Sequence, residues 1–445
     1  WKTLPSHHDW YPSWSKRTGE LLLEACKVQY GYDKWAIIIP ANIFGDFDDF
    51  SGNSSNPEEN FSKLLSPEIY SYWEDVIKNK KKLNFILFEK ELSVKNDKTY
   101  SFWSGPGLFD IKKTFNVKPK KEWSQIEIKV KGRAYKINLG EFRYACYESK
   151  LVLNELYKKV VKKGIKIKQG NSINHIKNNK ANWEIDVNKE KFFLDKVVDS
   201  RPNSTFDDKF PSLKQVFIGS EIISNKKIFD DDVVTLMDFF ESKKNVVFTY
   251  ILPYSKNRAL VETTFFSNRI NFKEVEKLHK KTLKKFDIRE ILRTEKAVLP
   301  MSPYVQSITN KKYFKIGNFG GASRPSSGYA FTRIALWASK IKANNEFCDE
   351  LIKYKKNALT NWLDTIFLSV LRSSPHEGPE IFRIFFTKVP IVSVIRFLSD
   401  QSRFIDYVII ILKLFLLIFF ILFLLPHDLL NFILSNLIVN WVSSI

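Results

Sequence analysis

From Thr235 to Phe266 the chain reads TLMDFFESKKNVVFTYILPYSKNRALVETTFF, and no other stretch constrains the fold as tightly. Two runs rich in β-branched and aromatic residues, Val246–Leu252 and Ala259–Phe266, flank the turn Pro253-Tyr254-Ser255-Lys256-Asn257. That composition around Pro, Ser and Asn predicts an antiparallel hairpin. Glu262 stands inside the second run, between Val261 and Thr263. A carboxylate in apolar company is costly to ionise unless paired, so its pKa should rise and it can hold a proton near neutrality. The other reading is a solvated glutamate on a strand exposed on one side.

The 445 residues allow two or three domains and a sizeable core. A net charge of +21 invites a nucleic-acid partner, yet the lysines are spread along the chain and no RNA-binding motif gathers them. A basic surface facing anionic lipid fits this distribution better. Cys26, Cys146 and Cys348 are odd in number and scattered, which predicts reduced thiols in a cytoplasmic setting. The six histidines show no metal-ligand spacing. The chain opens at Trp1 without Met or a signal segment and reads as truncated at its front.

Ser15–Tyr30 has the apolar spacing of an amphipathic helix, and KWAIIIP around Trp35–Pro40 reads as a short buried strand followed by a loop over Ala41–Asp49. S-K-R-x-G-E followed by I-I-I-P-A-N-I-F-G-D-F-D-D-F resembles the extended short-chain dehydrogenase/reductases, specifically nucleotide-sugar epimerases and GDP-fucose synthase-like enzymes. Lys16 matches the lysine of that family's Y-x-x-x-K pair, but Pro12 stands four residues before it and Tyr11 is displaced by one. Residues 1–60 are therefore expected to be a separate epimerase-like fragment, joined by a linker over 61–82.

From Leu83 the pattern changes. LNFILFE, Leu83–Glu89, is a buried strand ending in an acid. A G-x-G-x-x-G phosphate loop should precede such a strand by one helix, and the sequence has none there. Further on come KTYSFW at Lys98–Trp103, the Asp199-x-Arg201 turn closed by Pro202, Gly219-Ser220-Glu221, Met237-Asp238, and R-x-L-V-E-x-T around Glu262. KIGNFGGASRPSSGYAFTR at Lys315–Arg333 and VPIVSVIRFLSD before Gln401 complete the series. In this order the motifs resemble bacterial and plant-type lycopene cyclases over about residues 83–400. Two positions depart from that family's pattern: Pro202 replaces a glycine, and Thr263 stands where many members carry a second acid.

The resemblance implies an α/β flavoprotein fold: a Rossmann-like FAD-binding domain lacking its first β-α unit, an antiparallel-sheet substrate domain and a helical hydrophobic carboxyl terminus. It implies reduced FAD as cofactor, NAD(P)H as reductant and lycopene or a related linear carotenoid as substrate. Glu262 would be the acid and Asp238 would order the site. Glu89, Asp199, Arg201, Gly317, Gly320, Gly321, Ser326, Ser327, Gly328 and Tyr329 would face the cofactor. Two other functional readings stay open: an inactive product of truncation and fusion, and a nucleotide-sugar epimerase or reductase acting through the amino-terminal part. Over 401–445, the eighteen-residue run Val408–Leu425 is interrupted only by Lys413. It is expected to touch lipid at the cytoplasmic face of a membrane, as a peripheral helix or a single-span anchor.

Overall fold

Short runs such as WAIII, FILFE and KVVD carry no polar/apolar alternation, as suits parallel strands covered on both faces. In the structure, a computed structural model, these runs form one parallel sheet. The described residues are 35–39, 85–162, 166–201, 208–304, 313–334 and 357–423, with short gaps at 91, 94–97, 180–181, 195 and 316. The parallel sheet comprises β1 (Trp35–Ile39), β2 (Phe85–Glu89), β8 (Lys166–Lys168), β12 (Lys196–Asp199) and β18 (Tyr313–Lys315), in the order β18-β12-β1-β2-β8. Counted from β8, its strands come third, second, first, fourth and fifth in the chain, the doubly wound order of dinucleotide-binding sheets.

The α/β class is as expected, but the place of β1 corrects two expectations. Trp35–Ile39 is neither part of a separate amino-terminal unit nor missing from the sheet; it pairs in parallel with both β2 and β12 and fills the first-strand position. A short apolar run does not disclose which sheet it will join, because its partners lie far away in sequence. Tyr11, Pro12, Lys16 and the Ala41–Asp49 loop lie outside the described residues.

A small antiparallel sheet of β9 (Ile173–Asn178), β10 (Trp183–Val187) and β11 (Glu190–Leu194) packs on the parallel one through Phe88, Ile185 and Val197. The largest sheet has seven strands, ordered β17-β13-β16-β15-β14-β5-β6. They are β5 (Gln125–Val130), β6 (Arg133–Asn138), β13 (Leu213–Ser224), β14 (Val233–Phe240), β15 (Val246–Ser255), β16 (Arg258–Ser267) and β17 (Ile288–Met301). The hairpin read from the sequence is β15–β16, and its strands run past the expected turn to leave Lys256-Asn257 as a two-residue loop. Pro253 is accommodated beside a bulge, and its carbonyl accepts from Trp123 Nε1 at 3.1 Å.

Both faces of this sheet are covered. On one face lies α2 (Phe272–Leu283), where Val275 joins Val216, Ile218, Phe265 and Val298. Its His279 bridges the hydroxyls of Ser220 and Thr263 at 2.9 and 3.1 Å, and burial holds its pKa down at about 4. Across the other face runs a third antiparallel sheet of β3 (Thr99–Ser104), β4 (Lys121–Trp123) and β7 (Arg143–Glu148), which leads into α1 (Ser149–Lys162). The carboxyl-terminal helices α3 (Ala358–Ser373), α4 (Gly378–Lys388), α5 (Ile391–Leu398) and α6 (Phe404–Phe423) pack beside it into the same core. Among the described residues no helix is long and apolar enough to cross a membrane.

Candidate active site

The third antiparallel sheet, the seven-stranded sheet and the carboxyl-terminal helices enclose a cavity of about 320 Å³. Phe248, Phe266, Phe367, Phe382, Phe385 and Phe397 wall one side, which is almost wholly apolar. The polar groups gather at the other side, where sheet register brings them together.

Directly opposed residues in antiparallel strands point to the same face. Tyr250 pairs with Glu262, Glu262 with Gly219, and Gly219 with Glu295, so one row crosses β15, β16, β13 and β17. Tyr250, Glu262 and Glu295 all line the cavity. The reading of Glu262 as a solvated glutamate is therefore excluded: the residue is 8% exposed and faces inward.

Gly219 makes the row possible. A Cβ there would stand 3.2 Å from Glu295 Cγ, 3.4 Å from Glu295 Oε1 and 3.4 Å from Glu262 Cβ. The two glutamate side chains flank the space that a side chain at 219 would take. Gly219→Val should lower unfolding stability by about 1–3 kcal/mol through overpacking. Denaturant melts check this, and a wild-type midpoint would contradict the packing argument.

The two acids differ in what holds them. Burial first and the neighbouring Glu295 second push the Glu262 pKa up to about 8, against a hydrogen bond from Thr264 Oγ1 at 2.5 Å. Glu262 is thus a carboxylic acid at neutral pH. Glu295 instead accepts from Arg293 Nη1 at 2.7 Å and from Thr99 Oγ1 at 3.3 Å. Arg293 also donates to Thr99 Oγ1 and to Glu221 Oε2, at 2.6 and 2.8 Å. Burial would raise the Glu221 carboxyl, but hydrogen bonds from Lys120 and Arg293 hold it down at about 2. Lys98, also on the cavity wall, is brought down to about 7 by burial, partly offset by Glu295. The buried phenols of Tyr250, Tyr144 and Tyr329 form a chain, with 3.0 Å between the first two hydroxyls and 3.4 Å between the last two.

Four of the residues expected to face a cofactor, Ser326, Ser327, Gly328 and Tyr329, line this cavity with Glu262. Gly328 has a φ of +68°, a left-handed conformation that glycine adopts without strain. Glu89, Asp199, Arg201, Gly317, Gly320 and Gly321 do not line it. Glu89 ends β2, fully buried, and Asp199 ends β12. Burial would raise the Asp199 carboxyl, but Lys315 and Arg201 hold it down at about 2. Arg201 Nε and Nη2 donate to its two oxygens at 3.1 and 3.2 Å. Gly317 and Gly320 bound a 3₁₀ turn just after β18, and Asn318 within it reaches the cavity. The turn packs on both β18 and β17, which links the carboxyl ends of the parallel strands to the cavity. Asp238 stands apart: it is half-buried on β14, outside the cavity lining, while its neighbours Leu236 and Met237 line it. Burial raises its pKa, and Lys129 and Lys285 are the nearby cations.

Glu295, Arg293, Lys98 and Tyr250 were not read from the sequence as site residues. For Glu295 the sequence gives no signal of the kind that marked Glu262, since Arg293, Thr294 and Lys296 stand beside it in place of apolar residues.

A family model described as lycopene cyclase protein matches residues 73–421. Among curated proteins none matches the sequence. In structure the chain is similar to a geranylgeranyl bacteriochlorophyll reductase-like protein from Thermoplasma acidophilum, with a TM-score of 0.51 at 14% identity, covering 74% of this chain and 92% of that one. It also aligns with tetracycline destructase Tet(55), at a TM-score of 0.49 and 12% identity over 84% and 99% of the two chains. A flavoprotein/dehydrogenase from Cytophaga hutchinsonii aligns at 0.43 and 11% over 85% and 98%.

Proposed function

This chain belongs to the lycopene cyclase family, and from that premise we propose that it closes the linear ends of lycopene or a related carotenoid into β-ionone rings by acid catalysis, without net redox change. One observation carries the reading: Glu262 keeps its proton at neutral pH in an aromatic-walled cavity shared with the Ser326–Tyr329 loop. A general acid is most effective when its pKa lies near the working pH.

The cavity takes the apolar end of the polyene among its phenylalanines and excludes water. Glu262 delivers its proton to the terminal double bond, and the neighbouring double bond attacks the resulting cation to close the ring. Loss of a ring proton then gives the product. The Tyr250 and Tyr144 side chains line the same cavity, where aromatic rings can stabilise a developing cation.

The residues also fit a flavin, and FAD is part of this proposal. Asn318 has a buried amide oxygen with no hydrogen-bond partner among the described residues where it lines the cavity, an acceptor suited to a ring N–H. Ser326, Ser327 and the Gly317–Gly321 turn would hold the ring system, and Glu89 the ribose hydroxyls. Reduced FAD, kept so by NAD(P)H, supplies an electron-rich neighbour to the cationic centre when bound. The segment after β1, where a phosphate-binding loop belongs, lies outside the described residues.

The protein is further proposed to work at the cytoplasmic face of a membrane, where such substrates dissolve. The exposed Phe404, Ile405 and Leu412 on α6, the helix whose Ile410 and Leu414 line the cavity, support this.

The test is conversion of lycopene in detergent by protein reconstituted with reduced FAD. Cyclic carotene is expected, and unchanged lycopene would overturn the reading. The rate should also fall as pH rises through about 8, because the Glu262 pKa is raised and the active acid form is lost above it. A rate independent of pH from 6 to 9 would count against Glu262 as the acid.

A further inference from the structure

We propose that Glu295 is the base of the same reaction, taking the ring proton while Glu262 supplies the first one. The inference rests on the cyclase reading and assigns a second residue within it.

Two buried carboxyl groups flank one glycine on one sheet face and line one cavity. Their surroundings divide the work. Arg293 Nη1 and Thr99 Oγ1 both donate to Oε2 of Glu295, which fixes that carboxyl in place beside a guanidinium. Its Oε1 lies on the Gly219 side, 3.4 Å from the position of an added Cβ. Among the described residues no cation pairs with Glu262, which accepts from Thr264 Oγ1. Two neighbouring carboxyl groups, one beside a guanidinium and the other beside a hydroxyl, are in the different surroundings that separate a base from an acid.

The step balances. The Glu262 O–H proton goes to the inner CH carbon of the terminal double bond, and the alkene electron pair forms the new C–H bond, leaving a tertiary cation on the dimethyl carbon. The next double bond supplies the electron pair of the ring-closing C–C bond, which moves the charge onto a ring carbon. Glu295 takes a proton from the adjacent ring carbon, and that C–H pair becomes the ring double bond. The enzyme is then left with Glu262 ionised and Glu295 protonated, and return of that proton from Glu295 to Glu262 restores the resting state. No electrons enter or leave. Because the base selects which ring proton departs, Glu295 also sets the position of the ring double bond.

The titratable groups that line the cavity with Glu262 are Glu295 from β17, Lys98 before β3, Tyr250 from β15, Tyr144 from β7, Tyr329, and Asp364 from α3, which is paired with Arg324; Arg293 bears on the site through Glu295. Of these, Glu295 is the neighbour whose charge raises the Glu262 pKa. Glu295→Gln is therefore expected to lower the cyclisation rate about a hundredfold or more, to move the high-pH loss of activity to lower pH, and to change the ratio of ring isomers. Glu295→Asp should recover part of the rate. A purely structural role would change neither the pH profile nor the isomer ratio. Wild-type rate, profile and isomer ratio in Glu295→Gln would overturn the assignment while leaving the cyclase reading intact. Absence of ring formation by the wild type would remove the cyclase reading itself. Infrared titration of the buried carboxylic-acid C=O band needs no turnover. The band should disappear in Glu262→Gln and persist in Glu295→Gln, titrating there at lower pH. The reverse pattern would place the proton on Glu295 and overturn the proposal. If Glu295→Gln does not fold, the band in Glu262→Gln decides alone.

Discussion

Glu262→Gln should abolish most of the cyclisation, by about 10²–10⁴-fold, while leaving the protein folded. The substitution keeps shape and volume, and the amide oxygen can still accept from Thr264 Oγ1. What it removes is a proton that can be given up. The fold even loses a cost above neutral pH. A carboxyl whose pKa is raised on folding favours the native state below its unfolded value of 4.5 and loses that advantage as pH rises through about 8. The variant should therefore show a flatter stability profile between pH 6 and 9 than the wild type. Asp238→Asn is the comparison. That side chain lies outside the cavity lining, so the rate should stay near wild type. If Asp238→Asn matched Glu262→Gln, the cavity would be the wrong place to look for the acid.

The largest effect on stability is expected at Arg324. Its guanidinium is fully buried against an equally buried Asp364, with Nη2 and Nε at 3.1 and 3.2 Å from the two carboxylate oxygens. It also donates to the Phe397 carbonyl, lies 4.1 Å over the Phe397 ring and is 3.7 Å from Asp400. One side chain thus ties the Ser326–Tyr329 loop to α3 and α5, three parts of the cavity wall. Arg324→Met strands the Asp364 charge in the interior and should cost about 3–5 kcal/mol in denaturant unfolding. The double variant Arg324→Met/Asp364→Leu leaves no such charge and should recover a large part of that loss. Equal destabilisation in the single and double variants would mean that packing, not the unpaired charge, dominates.

Arg324 also shows how a motif can be legible while its physics is not. The order R-P-S-S-G-Y marks the cavity loop in the sequence, yet nothing local says that the arginine faces the interior and the serines face the cavity. The hairpin was legible because it depends on short-range pattern, alternation and turn residues; for Glu262 the pattern left a buried and a solvated acid both open, and the family resemblance pointed to the acid role. Glu295 was not legible, since its place beside Glu262 depends on β13 passing between their strands with Gly219 at the crossing. That register is set by pairing between segments some forty to seventy-five residues apart in sequence. Asp238 shows the converse. It was placed in the site by the Met237-Asp238 motif of the family resemblance, and a motif does not say which way a side chain faces where β14 shifts register between Thr235 and Asp238. For Trp35–Ile39, a resemblance to another family suggested a separate unit, whereas backbone pairing with β2 and β12 puts the strand in the parallel sheet.

The central claim is that Glu262 protonates a carotenoid end group and that no electrons are exchanged. Turnover of lycopene in D₂O, with the product analysed by mass spectrometry and NMR, tests it most directly. Proton transfer from an exchangeable carboxyl predicts one solvent deuteron retained in each ring formed, on the carbon of the former terminal double bond, in a product otherwise isomeric with the substrate. Rings formed without solvent deuterium, or a product differing from lycopene in oxidation level, would contradict it.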